Sequence, residues 1–331
     1  MRGRARRTLA AAVASLATLG HAFKVPSDGA TYGSALRAAS SAFDEHNVPE
    51  AALSAEHLLT QAAGFGSNRA ALLLRRDDTL PAEVKHAFES MCARRLAREP
   101  VQYILGEWDF LELTLALRPP VLIPRPETEE LVEHVLRTHS QGAHANSQPV
   151  RFLDVGCGSG AIGVALLHRL PSARCVGIDV SADASALAME NAARCGVATR
   201  YEAALVSGGI AAYAAAASRG SFDIIVSNPP YIPRADMALI EPEVVAYEDD
   251  GALCGGTDGL DVVRDILRAA PILLDPQGPR SIWMEVDTSH PPLIEAWISA
   301  AAQASLGLEL VRWLPDLYER PRFVELRWRG P

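Results

Sequence analysis

Lysine is almost missing from this chain. Lys24 and Lys85 stand against 29 arginines in 331 residues. Schiff-base chemistry, which needs a lysine in a pocket, is thereby close to excluded. Cysteine is sparse: Cys92, Cys157, Cys175, Cys195 and Cys254 form no CxxC pair. That removes the usual zinc spacings and the common redox motif, so no metal site is expected. The five cysteines read as small buried apolar residues in a reducing compartment. No run of about 18 apolar residues exists, so no membrane-spanning helix is expected. No acid occurs before Asp28, and that gap divides the charge. The first 27 residues carry Arg2, Arg4, Arg6, Arg7 and Lys24, so a net charge of −9 becomes −14 for the rest. A body this acidic is a poor non-specific binder of nucleic acid, because neutralising phosphates takes clustered Lys and Arg.

What is present supports a large folded protein. Apolar residues make up 49% and charged residues 21%, which excludes a disordered chain and allows a sizeable core. The length favours two domains. The acid-poor, Arg-rich start followed by the Ala/Leu/Ser/Thr stretch from Leu9 to Leu19 reads as a sorting segment over residues 1–27. A mitochondrial address ranks first, a plastid address second and secretion third, since unpaired cysteines suit a reducing destination.

Residues 28–100 carry only helical patterns. Leu53, Leu58 and Leu59 mark one helix. Pro81 opens another, with Val84, Phe88, Met91 and Leu96 at helical spacing. Val101–Leu105 and Leu111–Leu117 flank Gly106 as two short apolar runs, predicting a β-hairpin linker over 101–123. Pro126 suits a first helical position, Glu127, Glu129 and Glu130 suit a helix N-terminus, and Leu131, Val132, Val135 and Leu136 its buried face. Residues 140–149 read as a surface linker. From 151 onward strands and helices alternate: strands Arg151–Val155, Cys175–Asp179, Phe222–Ser227 and Ser281–Val286, helices between them, and closing strands near 308–313 and 321–328. This predicts an α/β domain over 124–331 with a parallel sheet covered on both faces. No sign of oligomerisation stands out, so a monomer is expected.

Asp154, Gly156, Cys157, Gly158, Ser159 and Gly160 follow the first of these strands. Glycines let a backbone turn sharply and let a ligand lie against it. Asp179 ends the next strand, where a carboxylate commonly grips ribose hydroxyls. Gly158, Gly160 and Gly163 also satisfy the dinucleotide fingerprint GxGxxG, a weak signal alone. An acid such as Asp154 is unwelcome beside a pyrophosphate and welcome beside a cationic amino-acid ligand. The residues therefore favour S-adenosylmethionine over NAD. A tight turn without a ligand is the bland alternative.

Asn228, Pro229, Pro230 and Tyr231 end the strand Phe222–Ser227, at the same sheet edge. Two prolines fix an extended loop with no backbone donors, leaving carbonyls as acceptors. The Asn side-chain oxygen is another acceptor. Such acceptors can hold both hydrogens of an NH2 group, and Tyr231 offers an aromatic wall against a planar amide. An amide nitrogen is a poor nucleophile, so fixing its N–H directions and aiming its lone pair is a way to make it react.

Four segments together resemble the HemK/PrmC family, the N5-glutamine methyltransferases of peptide chain release factors. They are Val101–Trp108, Ile123–Glu129 with its Pro–Arg–Pro–Glu–Thr–Glu run, Phe152–Gly160 and Ile225–Tyr231. The resemblance runs from about residue 30 to the C-terminus, and the ending Glu319–Phe323 and the leader look most like the mitochondrial member. The Asn–Pro–Pro–Tyr motif alone is less specific, since amino-methylating DNA enzymes share it. The resemblance implies a class I (Rossmann-like, seven-stranded) S-adenosylmethionine-dependent methyltransferase domain, a small N-terminal helical domain that docks the release factor, and a β-hairpin linker. It implies methylation of the Gln of a Gly–Gly–Gln loop, without direct nucleic-acid or membrane binding. By position, Asp154, Gly156–Gly160, Asp179 and Asn228 are expected to bind cofactor. Asn228, Pro229 and Tyr231 are the expected catalytic set, and Asn228–Tyr231 with Glu127 and Thr128 the expected substrate contacts. The acid the family carries after its third strand is missing here, where Ala204 and Leu205 stand. The rival functions are an amino-methyltransferase for nucleic acid, a non-catalytic release-factor-binding module and an NAD oxidoreductase. The last lacks a credible acid/base, since His134, His168 and His290 read as ordinary surface or helix residues.

Overall fold

The computed structural model describes residues 23–26, 29–66, 68–139, 149–300 and 303–330. Most of the basic leader and nearly all of the 140–149 linker lie outside the described residues. The chain forms two compact units, Met1–Glu107 with Glu241–Tyr247, and Trp108–Ile240 with Glu248–Pro331.

The first unit is helical, as its sequence predicts. Helices α1 (Tyr32–Glu45), α2 (Ala51–Ala62), α3 (Ala70–Leu74) and α4 (Ala82–Leu96) follow one another. A reciprocal cap starts α1: Ser34 N–H donates to Thr31 Oγ1 while Thr31 N–H donates to Ser34 Oγ at 2.8 Å. Phe43 of α1, Leu58 and Leu59 of α2, and Phe88 of α4 are fully buried. Each such side chain contributes about 1.5–3 kcal/mol. Val101–Leu105, expected as the first arm of a hairpin, is instead helix α5. Pro100 precedes it with a suitable φ, and Gly106 at φ 77° is its C-terminal stop rather than a hairpin turn. The hairpin forms later, from β1 (Glu107–Phe110) and β2 (Leu113–Ala116).

In the second unit α6 (Pro126–His139) buries Leu131, Val132, Val135 and Leu136 as predicted, and Thr128 as well. Then come β3 (Arg151–Val155), α7 (Ala161–Arg169), β4 (Arg174–Asp179), α8 (Ala182–Arg194), β5 (Tyr201–Leu205), α9 (Gly209–Ala216), β6 (Ile224–Ser227), α10 (Asp261–Leu273), β7 (Ser281–Glu285), α11 (His290–Ser299), β8 (Leu308–Pro315) and β9 (Pro321–Trp328). The seven-stranded sheet has the order β5-β4-β3-β6-β7-β9-β8. The first five strands are parallel, and β9 runs antiparallel to both β7 and β8. The sheet is therefore mixed, because the short β8–β9 connection can only join antiparallel strands. Alternate residues feed the two faces. Phe152, Val226 and Trp283 pack with α6 and α7 on one side, and Leu153, Ile225 and Met284 with α10 on the other. Chain order reverses between β3 and β6, which opens a crevice beyond their C-terminal ends.

Candidate active site

Both singled-out loops leave the sheet at that crevice. After β3, Gly156 and Gly158 adopt φ 68° and 55° and line a cleft, and a Cβ on either would project into open space. These glycines form a cradle. Gly163, the last of the dinucleotide match, does something else: a Cβ there would lie 2.7 Å from the Tyr201 ring and 2.9 Å from Cys175 Sγ. It lets α7 press on the sheet.

Asp179 ends β4 in the cleft wall. Gly158 N–H donates to its Oδ2 at 3.0 Å and Ser181 N–H to its Oδ1 at 2.9 Å. Burial nevertheless raises its pKa, and the nearby Asp249 carboxylate adds to the rise. Asp249 and Asp265 also line the cleft, and none of its described lining residues is Lys, Arg or His. Val121, Val180, Val206 and Ile210 supply apolar walls. The side beyond β5, where an acid is missing, is therefore hydrophobic.

Four of the expected cofactor residues are not in the cleft lining. Asp154 is fully buried and accepts Gly163 N–H at 3.1 Å, and burial pushes its carboxyl up to about 7. Ser159 is buried beneath the loop, its carbonyl accepting Asn191 Nδ2–H at 2.9 Å. Cys157 is buried too, its thiol pushed well above the usual value by burial. Gly160 begins α7, close to Ala188. Asn191 also exchanges two hydrogen bonds with the Ala116 backbone, at 2.7 and 3.1 Å, tying β2 to the glycine loop.

After β6, Asn228 and Pro230 line the same cleft, and Pro229 is buried. Asn228 Nδ2–H donates to Thr128 Oγ1 at 3.0 Å. Thr128 Oγ1–H donates to Glu285 Oε2 at 2.7 Å. Glu285 is 1% exposed, and burial raises its pKa to about 7. Burial, with Glu285 nearby, pushes the Tyr231 phenol up to about 12. Glu127 lies 3.7 Å from Arg320, while Arg125 of the same segment pairs with the buried Glu248 at 2.8 Å. The loop is held from behind by close backbone approach. A Cβ on Gly255 would lie 2.4 Å from the Pro230 carbonyl oxygen, and one on Gly259, at φ 79°, 2.2 Å from that of Tyr231.

Residues 34–106 match the PrmC N-terminal domain and residues 132–246 the methyltransferase small domain. The human MTRF1L release factor glutamine methyltransferase is 42% identical over 87% of this chain and 85% of its own length. The chain belongs to the release factor glutamine methyltransferase family. The Geobacter sulfurreducens release factor glutamine methyltransferase is 43% identical over 73% of this chain and 78% of its own. Among solved structures, the human Mettl16 catalytic domain with an RNA hairpin is similar at 16% identity, a TM-score of 0.49, and coverage of 72% and 80%.

Three features of this methyltransferase escape a reading of its motifs. Glu285 looks like an ordinary strand end, yet it is buried behind Asn228's partner. Asp249 lies far from the glycine loop in sequence. Gly255 and Gly259 surround no recognisable motif, although a glycine-rich run after a rigid loop is a usable signal of close backbone contact. His290, expected as a surface or helix residue, opens α11 but is buried beside Gly259.

Proposed function

We propose that this enzyme transfers a methyl group from S-adenosylmethionine to the side-chain amide nitrogen of a release factor glutamine, the one in a Gly–Gly–Gln loop. The observation that carries the cofactor reading is the charge of the cleft: three carboxylates and no cationic side chain among its described lining residues. That lining repels a pyrophosphate and suits a ligand with an ammonium, a sulfonium and ribose hydroxyls. The residues present fit such a ligand. Gly156 and Gly158 leave room against the backbone, Asp179 and Asp249 offer acceptors, and Val206 and Ile210 give an apolar wall. S-adenosylmethionine, when bound, supplies an electrophilic methyl group.

The chain's own task is to present a reluctant nucleophile. Asn228 carries no described hydrogen bond on Oδ1, and its residue faces the cleft, so that oxygen is an available acceptor. In this reading the carbonyl of the buried Pro229 serves as a second one, on a loop with few ways to move. Together they can take the two N–H bonds of the substrate amide and direct its lone pair along the sheet edge. Fixing orientation in this way is worth on the order of 7 kcal/mol in favourable cases. Tyr231 walls the amide plane.

The partner is a release factor, with the helical unit as its docking domain. The basic leader supports a mitochondrial destination, which imaging of a fluorescent fusion of residues 1–27 tests directly. The activity is tested with labelled S-adenosylmethionine, offering release factor and DNA in parallel. Label is expected on the release factor glutamine. Label on DNA alone overturns the reading.

A further inference from the structure

Asn228 holds its amide in one of two orientations that differ only by exchanging O and N. One orientation presents an acceptor to an incoming NH2 group, and the other presents a donor and repels it. We propose that Thr128 and Glu285 are positioning residues that set this choice, through a one-way hydrogen-bond relay from Asn228 to Thr128 to Glu285. The inference rests on the reading of Asn228 as acceptor for the substrate amide.

The direction of the relay follows from its far end. An ionised carboxylate can only accept, so the Thr128 hydroxyl spends its single hydrogen on Glu285 Oε2 at 2.7 Å. The Thr128 oxygen is then left as an acceptor. The Asn228 group that meets it at 3.0 Å has to be the NH2. Oδ1 is thereby turned to the other side. Glu285 Oε1 is buried with no hydrogen-bond partner among the described residues, so the bond from Thr128 is the one hydrogen bond that anchors this carboxylate. Two of the three sit on regular elements, Thr128 in the first turn of α6 and Glu285 at the end of β7, and Asn228 directly follows β6, ahead of two prolines. Thr128 and Glu285 are 3% and 1% exposed, so water does not compete for the bonds. Thr128, expected to touch substrate, has both of its polar functions committed inside the protein.

Protonation breaks the logic. A neutral Glu285 carboxyl can donate to Thr128, which frees the threonine hydrogen to reach Asn228 Oδ1 and turn the amide around. The charges facing Glu285 are Arg322 on β9, Arg125 just before α6 and Glu127 in its first turn, with the Tyr231 phenol also close. The two arginines oppose protonation, while burial and Glu127 favour it. Activity is therefore expected to have an acid limb near neutral pH that belongs to Glu285.

The chain has only five asparagines, so selective labelling of their side-chain amides is practical. In the free protein, the Asn228 NH2 resonances should show one hydrogen protected from exchange. That protection should vanish in Thr128→Val and persist in Thr128→Ser. This measurement needs neither cofactor nor substrate, so it stands even if the proposed methyl transfer fails. With release factor as substrate, Thr128→Val should lower kcat about 10–100-fold and leave cofactor affinity nearly unchanged, with Thr128→Ser restoring most of it. Glu285→Gln, whose amide can donate or accept, should lower kcat about tenfold and remove the acid limb. Wild-type kcat in Thr128→Val, an unprotected Asn228 amide in the wild-type protein, or an acid limb unaltered in Glu285→Gln each overturns the relay.

Discussion

The loops after β3 and β6 leave neighbouring strands at the same sheet edge, yet they are built for opposite hydrogen-bond chemistry. The first is made of glycines that open space against the backbone, with N–H groups turned inward to Asp179 and Ile178. The second is made of prolines that have no N–H to give, and its Asn228 amide faces the cleft. One loop leaves room for a ligand, and the other, in the function proposed, aims a substrate group. The lesson is that a shared site need not share a failure mode. Damage to the glycine side should appear in cofactor affinity, and damage to the proline side in turnover.

The sharpest break is Asn228→Ala. Turnover at saturating cofactor is expected to fall about 10²–10³-fold, while cofactor affinity measured by calorimetry changes far less. An equal loss in both would erase the division between the loops. Next, Gly259→Ala forces a side chain into left-handed backbone and against the Tyr231 carbonyl oxygen, 2.2 Å away. A cost of about 1–3 kcal/mol is expected in denaturant melts, with turnover falling as the proline loop shifts. On the other side, Asp179→Ala should weaken cofactor binding about 10–100-fold with kcat nearly kept. The Asp179 pKa is raised, so its charge is lost at a higher pH than for an exposed aspartate. Acidification should therefore weaken calorimetric cofactor affinity from that higher pH, and Asp179→Ala should flatten the trend. The smallest effect is expected for Glu127→Gln. Its contact with Arg320 spans 3.7 Å at a half-exposed position, and such pairs contribute less than about 1 kcal/mol, which denaturant melts of the variant check.

The sheet was legible because its central strands are short and dominated by branched apolar residues, as in Ile224–Val226 and around Phe152 and Leu153, and each is followed by a recognisable loop motif. Local signals misled where one residue has two uses. Gly106 terminates a helix as readily as it turns a hairpin, and the five residues before it are too short for periodicity to decide. Asp154 shows a different limit. Sequence places it beside the glycine loop, but strand alternation points its carboxylate into the core under α7. Glu285 and Asp249 reach the site only through folding, since strand order brings β7 beside β6. The helix α9 lacked any pattern because Gly209–Ala216 is nearly all small and apolar.

Glu241–Tyr247 belongs to the helical unit although it follows the Asn228–Tyr231 loop by only ten residues. Within that unit Glu243 lies 2.9 Å from Arg98 and 3.6 Å from Arg95, which is 4% exposed, and the Tyr247 hydroxyl donates to the Ala97 carbonyl at 3.1 Å. A gene fragment that stops at Glu107 thus encodes an incomplete body, with Arg95 buried and stripped of its counter-charge at a cost of about 3–5 kcal/mol. Exchanging the helical part between two relatives takes two splices, not one. The seven-residue return also means that a protease cut in this short segment disables a body whose other strands of sequence lie more than a hundred residues upstream.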